Sequence, residues 1–391
     1  MNRLLEGVRV LELGNFISGP YTGQLLAEMG AEVIKIEKPD GGDPFRSFSK
    51  NMLSPQFCGY NRGKRSVTVD LNKPEGRDLL LRLADQADVL VENFRPDVMD
   101  RLGLGWDVLH ARNPRLIYCN ISGFGPDGPY AKRPAYDTVA QSMSGFFSQL
   151  LDPDRPRIAG PAIADAISGL YAAFGIASAL AARARDGVGH RLDVPMVEVM
   201  AAFSADPLAQ YFANGRAPGP YERASVSQSF ALRCADGKLI GLHLSSPPKF
   251  WESLLAAIER PDIGRDPRFA ERSGRMKNFD ALCDALGEAF ATRPRAEWEE
   301  RLRRHDVPHA PIYDFSEVER DPQIIHLGTF FTQDHPQLGP LRGVQGPVWC
   351  DRAREVPALP PPALGEHTDE QLRRAGYSDA QIAELRAAGA I

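Results

Sequence analysis

Short runs rich in Val, Ile and Leu recur along the first half of the chain, at Val8-Arg-Val-Leu-Glu-Leu13, Glu32-Val-Ile-Lys-Ile-Glu37, Ser66–Leu71, Asp88–Glu92 and Arg115–Ser122. Runs of this length, bounded by turn-forming residues, read as strands of a buried sheet. Between them the apolar period lengthens to that of a helix, over Tyr21–Met29 with Gly30 as its stop, and over Pro74–Ala87 with proline in the first turn. This alternation predicts βαβ units with right-handed crossovers, and so an α/β fold. Gly14 and Gly19 in the first strand-to-helix turn fall short of the full dinucleotide fingerprint. That argues against a nicotinamide site and leaves other nucleotide-bearing ligands open.

The pattern changes at Ala159-Gly-Pro-Ala-Ile-Ala-Asp165-Ala-Ile-Ser-Gly169. From Ala166 to Ala182 no residue is charged, and Gly, Ala and Ser mix with Ile, Leu, Tyr and Phe. A helix that is apolar all round is normally buried. This one is too rich in small residues for a membrane span, which needs about 20 strongly apolar residues. One carboxylate, Asp165, stands at its start behind Gly160 and Pro161. It can cap the helix, where orphan N–H groups and the positive helix end favour a carboxylate. It can equally attack an activated acyl group as a nucleophile. Just before this stretch, Pro134-Ala-Tyr-Asp137 opens a helical run through Phe147, and Tyr136 reads there as a core tyrosine with a satisfied hydroxyl. Just after it, Arg191–Met196 reads as a strand and Glu198–Ala205 as a helix.

A second lobe begins past the linker-like Asn214-Gly-Arg-Ala-Pro-Gly-Pro220. Ser227–Leu232 alternates, and Asp236-Gly237 joins two strand-like runs as a hairpin turn does. Ser246-Pro247 then caps a helix carrying Trp251, Leu254, Leu255 and Ile258, followed by helices around Phe279-Leu282-Leu286 and Trp298-Leu302. This is a small α+β domain. Val356-Pro-Ala-Leu-Pro-Pro-Pro362 reads as a stiff strap crossing a surface or a neighbouring subunit. Thr368-Asp-Glu-Gln371 and Ser378-Asp-Ala-Gln381 both carry capping-box signatures.

Composition narrows the function. The 391 residues, 43% hydrophobic and 25% charged, suit two or three lobes with ample core. A net charge of −5 without a basic tract excludes a nucleic-acid partner, and no segment calls for a membrane. The five cysteines are odd in number and scattered, so they form neither a disulfide framework nor a metal knuckle. His305 and His309 are separated by Pro308 and are not held as a metal pair. Met1-Asn-Arg-Leu-Leu-Glu6 has no apolar signal region, so the expectation is a cytoplasmic, metal-free protein. Three cations in Asn61-Arg-Gly-Lys-Arg-Ser66 suit either a phosphate-bearing ligand or a solvated turn. Asn93, Phe94 and the bent Gly123–Pro129 loop follow strands, on the edge where open α/β sheets bind ligands.

The colinear set of these pieces resembles the class III CoA-transferase family, which includes formyl-CoA and carnitine CoA-transferases and α-methylacyl-CoA racemases. The likeness runs from Leu5 to the C-terminus. Its landmarks are Gly7-Val-Arg-Val-Leu-Glu12, Gly19-Pro20, Gly30–Glu37, Gly42-Asp-Pro-Phe-Arg46, Asn61–Ser66, Val91-Glu-Asn-Phe94, Ser122-Gly-Phe-Gly125, Tyr136-Asp137, Asp165 and Leu364–Glu370. The resemblance implies a Rossmann-like α/β large domain formed by both chain ends (1–205 and 330–391), a small α+β domain (225–320), and an interlocked homodimer. It implies coenzyme A or acyl-CoA as co-substrate with no tightly bound cofactor, an acyl-CoA donor and a small carboxylic acid acceptor. By the same likeness Lys38, Val69 to Asn72, Asn93, Phe94 and Arg101 contact coenzyme A, with Ile17, Ser18 and Tyr136 beside them. Asp165 matches the acyl-accepting aspartate, which forms a mixed anhydride and then an aspartyl-CoA thioester. Oxyanion donors are expected at the backbone of Ile17 and Ser18 and around Ser245-Ser246.

Two departures speak against formyl-CoA and oxalate as substrates. Ile17 stands where formyl-CoA members carry Gln, and Leu244-Ser-Ser-Pro-Pro248 stands where they carry four glycines. The racemase branch is the alternative, but Tyr136 replaces its His, and Ser246-Pro247 falls near its small-domain Glu. A neutral tyrosine, with a pKa of about 10, is a poor base. A non-catalytic CoA-binding protein, or a nicotinamide enzyme with a degenerate loop, is the alternative from another class.

Overall fold

The computed structural model describes residues 3–152, 154–245 and 247–391. Six strands, β1 (Arg9–Glu12), β2 (Glu32–Glu37), β3 (Lys64–Thr68), β4 (Val89–Glu92), β5 (Ile117–Ser122) and β6 (Arg191–Pro195), form one sheet in the order β3-β2-β1-β4-β5-β6. Every neighbouring pair is parallel. Because successive side chains point to opposite faces, Leu11, Ile34 and Leu90 enter one core while Val10, Val33 and Val89 enter the other. Both faces are therefore buried, which is why these strands read as apolar runs. The chain order reverses between β1 and β4, and a crevice beyond the carboxyl ends of the strands opens at such a point.

The helices that serve the sheet are α1 (Ser18–Glu28), α2 (Pro55–Asn61), α3 (Pro74–Ala84), α4 (Val98–Arg101), α5 (Trp106–Arg112), α6 (Asp137–Met143) and α7 (Ile163–Asp186). Leu79, Leu80 and Leu83 of α3 cover one face together with Leu372 and Ile382 from the chain's end. Leu26 of α1 and Ala164, Ala172 and Ile176 of α7 cover the other. The sequence predicts a helix buried all round here, and α7 departs from that. Ala164, Ser168, Gly169, Ala172, Ile176 and Ala179 are buried, whereas Leu170, Tyr171 and Phe174 are exposed. Small residues at intervals of three or four make one flat face that lies close to α1. A Cβ on Gly169 would stand 2.9 Å from the Ser18 carbonyl oxygen. On length and composition alone, α7 would also suit a membrane crossing.

The chain divides into two compact units. The first takes the chain up to Phe147, Ile158–Asp206 and Gly328–Ile391; the second takes Ser148–Arg157 and Pro207–Leu327. The second holds an antiparallel sheet of β7 (Ser229–Arg233), β8 (Leu239–His243) and β9 (His309–Ile312), packed by Trp251, Leu254, Leu286 and Trp298. Its helix Pro248–Ile258 takes Pro247 as N-cap, and Ser246 lies outside the described residues.

The end of the chain closes the sheet edge at β3. The Gly365 N–H donates to Ser66 Oγ (2.9 Å), the His367 N–H to the Ser66 carbonyl (2.9 Å), and the Asp70 N–H to the Ala390 carbonyl (2.8 Å). Thr368 does not cap the helix it begins, because its hydroxyl accepts the Thr68 N–H instead (3.0 Å) and His367 takes the cap position. The box at Ser378 and Gln381 is formed. The proline strap runs along its own unit, its Pro362 carbonyl accepting from Arg46 (3.1 Å) and its Leu359 carbonyl from the Gly63 N–H (2.8 Å).

Near the carboxyl ends of β1 and β2 and the first residue of β3 lies a closed set of charges. Glu12 pairs with Lys35 at 2.8 Å and with Lys64 at 2.6 Å, all three without solvent-accessible side-chain surface. Lys35 also reaches Asp43 at 3.0 Å, and Arg46 forks onto Glu37 at 2.7 and 2.8 Å. Burial pulls the Lys64 ammonium down to about 8. Lys35 is pushed up, because Glu12, Asp43 and Glu37 outweigh the burial acting on it. Three cations and three carboxylates thus neutralise one another inside the protein. Glu12→Gln leaves two buried ammonium groups short of a counter-charge, and breaking such a pair from one side costs about 3–5 kcal/mol. Urea denaturation is expected to show a loss of this size, and a change of only a few tenths would contradict the role given to Glu12.

Candidate active site

The β1–α1 turn is built by close approach. A Cβ on Gly14 would lie 2.8 Å from the Gly19 Cα, and the reverse holds for Gly19, so two glycines are needed for the turn rather than for a dinucleotide. Lys35 and Lys64 of the charge network donate to the carbonyls of Gly14 (2.7 Å) and Pro20 (2.6 Å), anchoring both ends of this turn. Asn93 pins its middle: its amide oxygen accepts the Asn15 N–H (2.9 Å), and its amide nitrogen donates to the Asn15 carbonyl (2.9 Å) and to Ser18 Oγ (3.0 Å). Asn93 and the buried Ser18 therefore position the loop. Among the described residues, the N–H groups of Ile17, Ser18 and Gly19 at the start of α1 meet no acceptor.

Asp165 sits in the first turn of α7, half-buried. It is not the cap. Asp137, at the start of α6, takes that part from another helix: its Oδ1 accepts the N–H groups of Ala164 (2.8 Å) and Asp165 (3.4 Å), while its Oδ2 accepts from Gln141 (2.6 Å). Among the described residues no group donates a hydrogen bond to the Asp165 carboxylate. Burial and then the neighbouring Asp137 charge push Asp165 up to about 7, and no cation offsets them. The result is an unencumbered carboxylate that titrates near neutrality.

A chain of aromatic rings reaches this helix start through Tyr60. Phe16 is held at φ +63, in the left-handed region, with its N–H directed at Asp43 Oδ1 (3.4 Å). Its ring meets Phe45 edge-on at 5.4 Å and Tyr136 edge-on at 6.2 Å. Phe45 lies parallel to Tyr60 at 6.5 Å and edge-on to Phe48 at 5.3 Å. The Tyr60 phenol is raised by burial and then by the Asp165 charge, which ties this ring to the carboxylate. Tyr136, read from sequence as a core tyrosine, is 66% exposed.

The other residues named from the sequence all follow the carboxyl ends of parallel strands. Lys38 follows β2, Val69 and Asn72 follow β3, and Phe94 and Arg101 follow β4. Lys38, Asn72 and Arg101 are exposed. The Val69 side chain is 1% exposed in the core, so only its backbone can meet a ligand. The Phe94 N–H donates to Glu92 (2.7 Å), a buried carboxyl raised to about 7 by its burial and also bonded by Tyr118 and Asn120. Neither reading of the Asn61–Ser66 cations holds. Lys64 is inside the charge network, Arg62 pairs with Glu28, and Arg65 pairs with Glu32 (3.2 Å). Three carboxylates elsewhere in the chain consume them. The Ser245 N–H is likewise spent on the Ser227 carbonyl (2.9 Å), so it offers no oxyanion donor, and Ser246 lies outside the described residues. A cavity of about 740 Å³ is lined by residues that include Arg3, Glu32, Arg65 and Arg374, and Asp165 is not among them. Glu32 opens β2, which sets that cavity at the amino ends of the strands, away from the crevice.

Comparison with known proteins bears on this arrangement. A model of CoA-transferase family III matches residues 5–368. The chain is 38% identical over 323 residues to the acetyl-CoA:oxalate CoA-transferase of Acetobacter aceti, covering 81% of this chain and 83% of that protein. It is 34% identical over 380 residues to the succinate–glutarate CoA-transferase of Agrobacterium fabrum, covering 94% of each. A solved CAIB/BAIF family protein from Brucella suis superposes with a TM-score of 0.85 at 34% identity, over 96% of this chain and all of that one. The chain is an enzyme that moves coenzyme A between an acyl thioester and a carboxylic acid, and it belongs to CoA-transferase family III.

Proposed function

We propose that transfer proceeds through covalent intermediates on Asp165. The carboxylate attacks the thioester carbonyl of the donor, giving a mixed anhydride and CoA thiolate. The thiolate attacks the aspartyl carbonyl, giving the aspartyl-CoA thioester and releasing the donor acid. The acceptor carboxylate attacks that thioester, and the freed thiolate then takes the acceptor's acyl group, restoring Asp165. The observation carrying this reading is that Asp137 does the capping, which leaves Asp165 with no structural bond to break when it reacts. Hydrogen-bond donors aimed at the developing oxyanion are the largest rate term in chemistry of this kind, and the unpaired N–H groups of Ile17, Ser18 and Gly19 supply them here. Ser18 packs against Gly169, one helical turn along α7 from Asp165, which supports that assignment.

For coenzyme A itself, Lys38 and Arg101 offer exposed cations to phosphates, Asn72 and the Val69 backbone offer polar contacts, and Phe94 offers a ring, with Asn93 holding the loop. No tightly bound cofactor enters the scheme, and the setting is cytoplasmic. The Rossmann-like reading of the large domain is supported by its strand order. The exposed apolar face of α7, with Phe174 at 69%, supports a homodimer whose second copy covers it, interlocked with the first.

Asp165→Asn is expected to fold and to lose CoA transfer by on the order of 10³-fold or more, with no aspartyl hydroxamate formed on hydroxylamine trapping. Retained turnover would remove the nucleophile. The same substitution should stabilise the protein at pH 8. A carboxyl raised from its ordinary value to about 7 is favoured when protonated, so its penalty to the fold builds as pH rises toward 7 and is complete above it. Thermal melts of the two proteins should therefore converge toward pH 4. Transfer by the native enzyme should fall as pH drops through about 7. Asp137→Asn keeps an acceptor for the α7 N–H groups but removes a charge, so the acid limb of the pH–rate profile should move to lower pH. An unmoved limb would count against the coupling of the two carboxyls. Sedimentation should give a dimer, and a stable active monomer would contradict interlocking.

A further inference from the structure

We propose that the acid activated at Asp165 is a monocarboxylate with an aromatic or branched apolar body, and that acids bearing a second carboxylate are disfavoured there. The inference rests on the transfer reading above and goes beyond it by naming the substrate class. Its ground is an aromatic wall that reaches Asp165 through Tyr60. Phe16, Phe45, Phe48, Tyr60 and Tyr136 come from two separate loops and two short helices, yet form one chain of ring contacts between 5.3 and 6.5 Å. Phe16 adopts a positive φ to join it, a conformation that a non-glycine residue holds only when its surroundings impose it. Phe45 is seated on the cluster of Leu53, Phe57 and Cys58, so the wall has a fixed footing. Phe48 is 62% exposed beside it and free to meet a ligand.

The charges tell the same way. Three cations of this part of the fold, Lys35, Arg46 and Lys64, have no accessible surface and are already matched by Glu12, Glu37 and Asp43. The charged group acting on Asp165 is another carboxylate, Asp137. A second substrate carboxylate held near Asp165 would therefore face two acids and the negative faces of aromatic rings. An apolar body would gain ring contacts instead, and a single methylene in such a pocket is worth roughly 10- to 200-fold in discrimination.

The test uses the full-length enzyme with isovaleryl-CoA and succinyl-CoA as donors, and phenylacetate, isovalerate, succinate and oxalate as acceptors. New thioesters are read by mass spectrometry. The expected result is a kcat/KM for phenylacetate or isovalerate at least about tenfold above that for succinate or oxalate. Phe48→Arg, which adds a cation to the wall, is expected to narrow that gap by raising kcat/KM for succinate. Equal or better use of the dicarboxylates by the native enzyme overturns the proposal, and so does an unchanged ratio in Phe48→Arg. Hydroxylamine trapping at Asp165 separates the two levels. A trapped adduct together with preferred dicarboxylates overturns the specificity alone. No adduct and no transfer to any acid overturns the transfer reading, and the proposal with it.

Discussion

The site depends on a buried carboxylate that never meets substrate. Glu12 ends β1 between Lys35 and Lys64, and those two ammonium groups reach on to the carbonyls at either end of the following turn. An ion pair taken out of water returns little net stability against a well-packed apolar alternative. What this one supplies is position. It fixes a turn whose glycines nearly touch, and the turn in turn fixes Asn93, Ser18 and the start of α1. Thr22, one turn further along α1, donates to the Ser18 and Gly169 carbonyls (2.8 and 3.2 Å), joining α1 to the helix that carries Asp165. A chain of short contacts thus runs from the middle of the sheet to the nucleophile.

Asp137 and Asp165 show how two like residues are given different work by their surroundings. The first has both oxygens committed to N–H groups and is structural. The second has none, and is raised by burial and by the first. A nucleophile near its own pKa is reactive without being wholly ionised, and it costs the fold something to keep it so. The capping reading of Asp165 was physically sound for a helix start. It fails because a carboxylate from a different helix reaches the same N–H groups first.

Much of the sheet is legible in the sequence, because a parallel strand buried on both faces has to be apolar along its length. Glu32–Glu37 is read to the residue. β3 is read two residues late, since Lys64 and Arg65 look like loop charges; their partners Glu12 and Glu32 lie far back in the chain, and nothing local announces them. The same distance hides the Asp137 cap, 28 residues from Asp165, and the aromatic wall, whose members come from four segments. Exposure is misread in both directions for related reasons. Val69, expected from the family resemblance to meet a ligand, turns its side chain into the core, while Tyr136 and the outer face of α7 are open although their composition suggests burial. Composition says how apolar a segment is, and only packing says which side of it is covered.

The outer edge of β3 is closed by residues 365–390, which leave the ribosome about 300 residues after it. Until they emerge, the sheet of the nascent chain carries a bare strand edge able to pair with another molecule. The protein therefore guards this edge against aggregation only once these residues have emerged. A bulky side chain at the buried Ala390, whose carbonyl accepts the Asp70 N–H, would burden this seal directly.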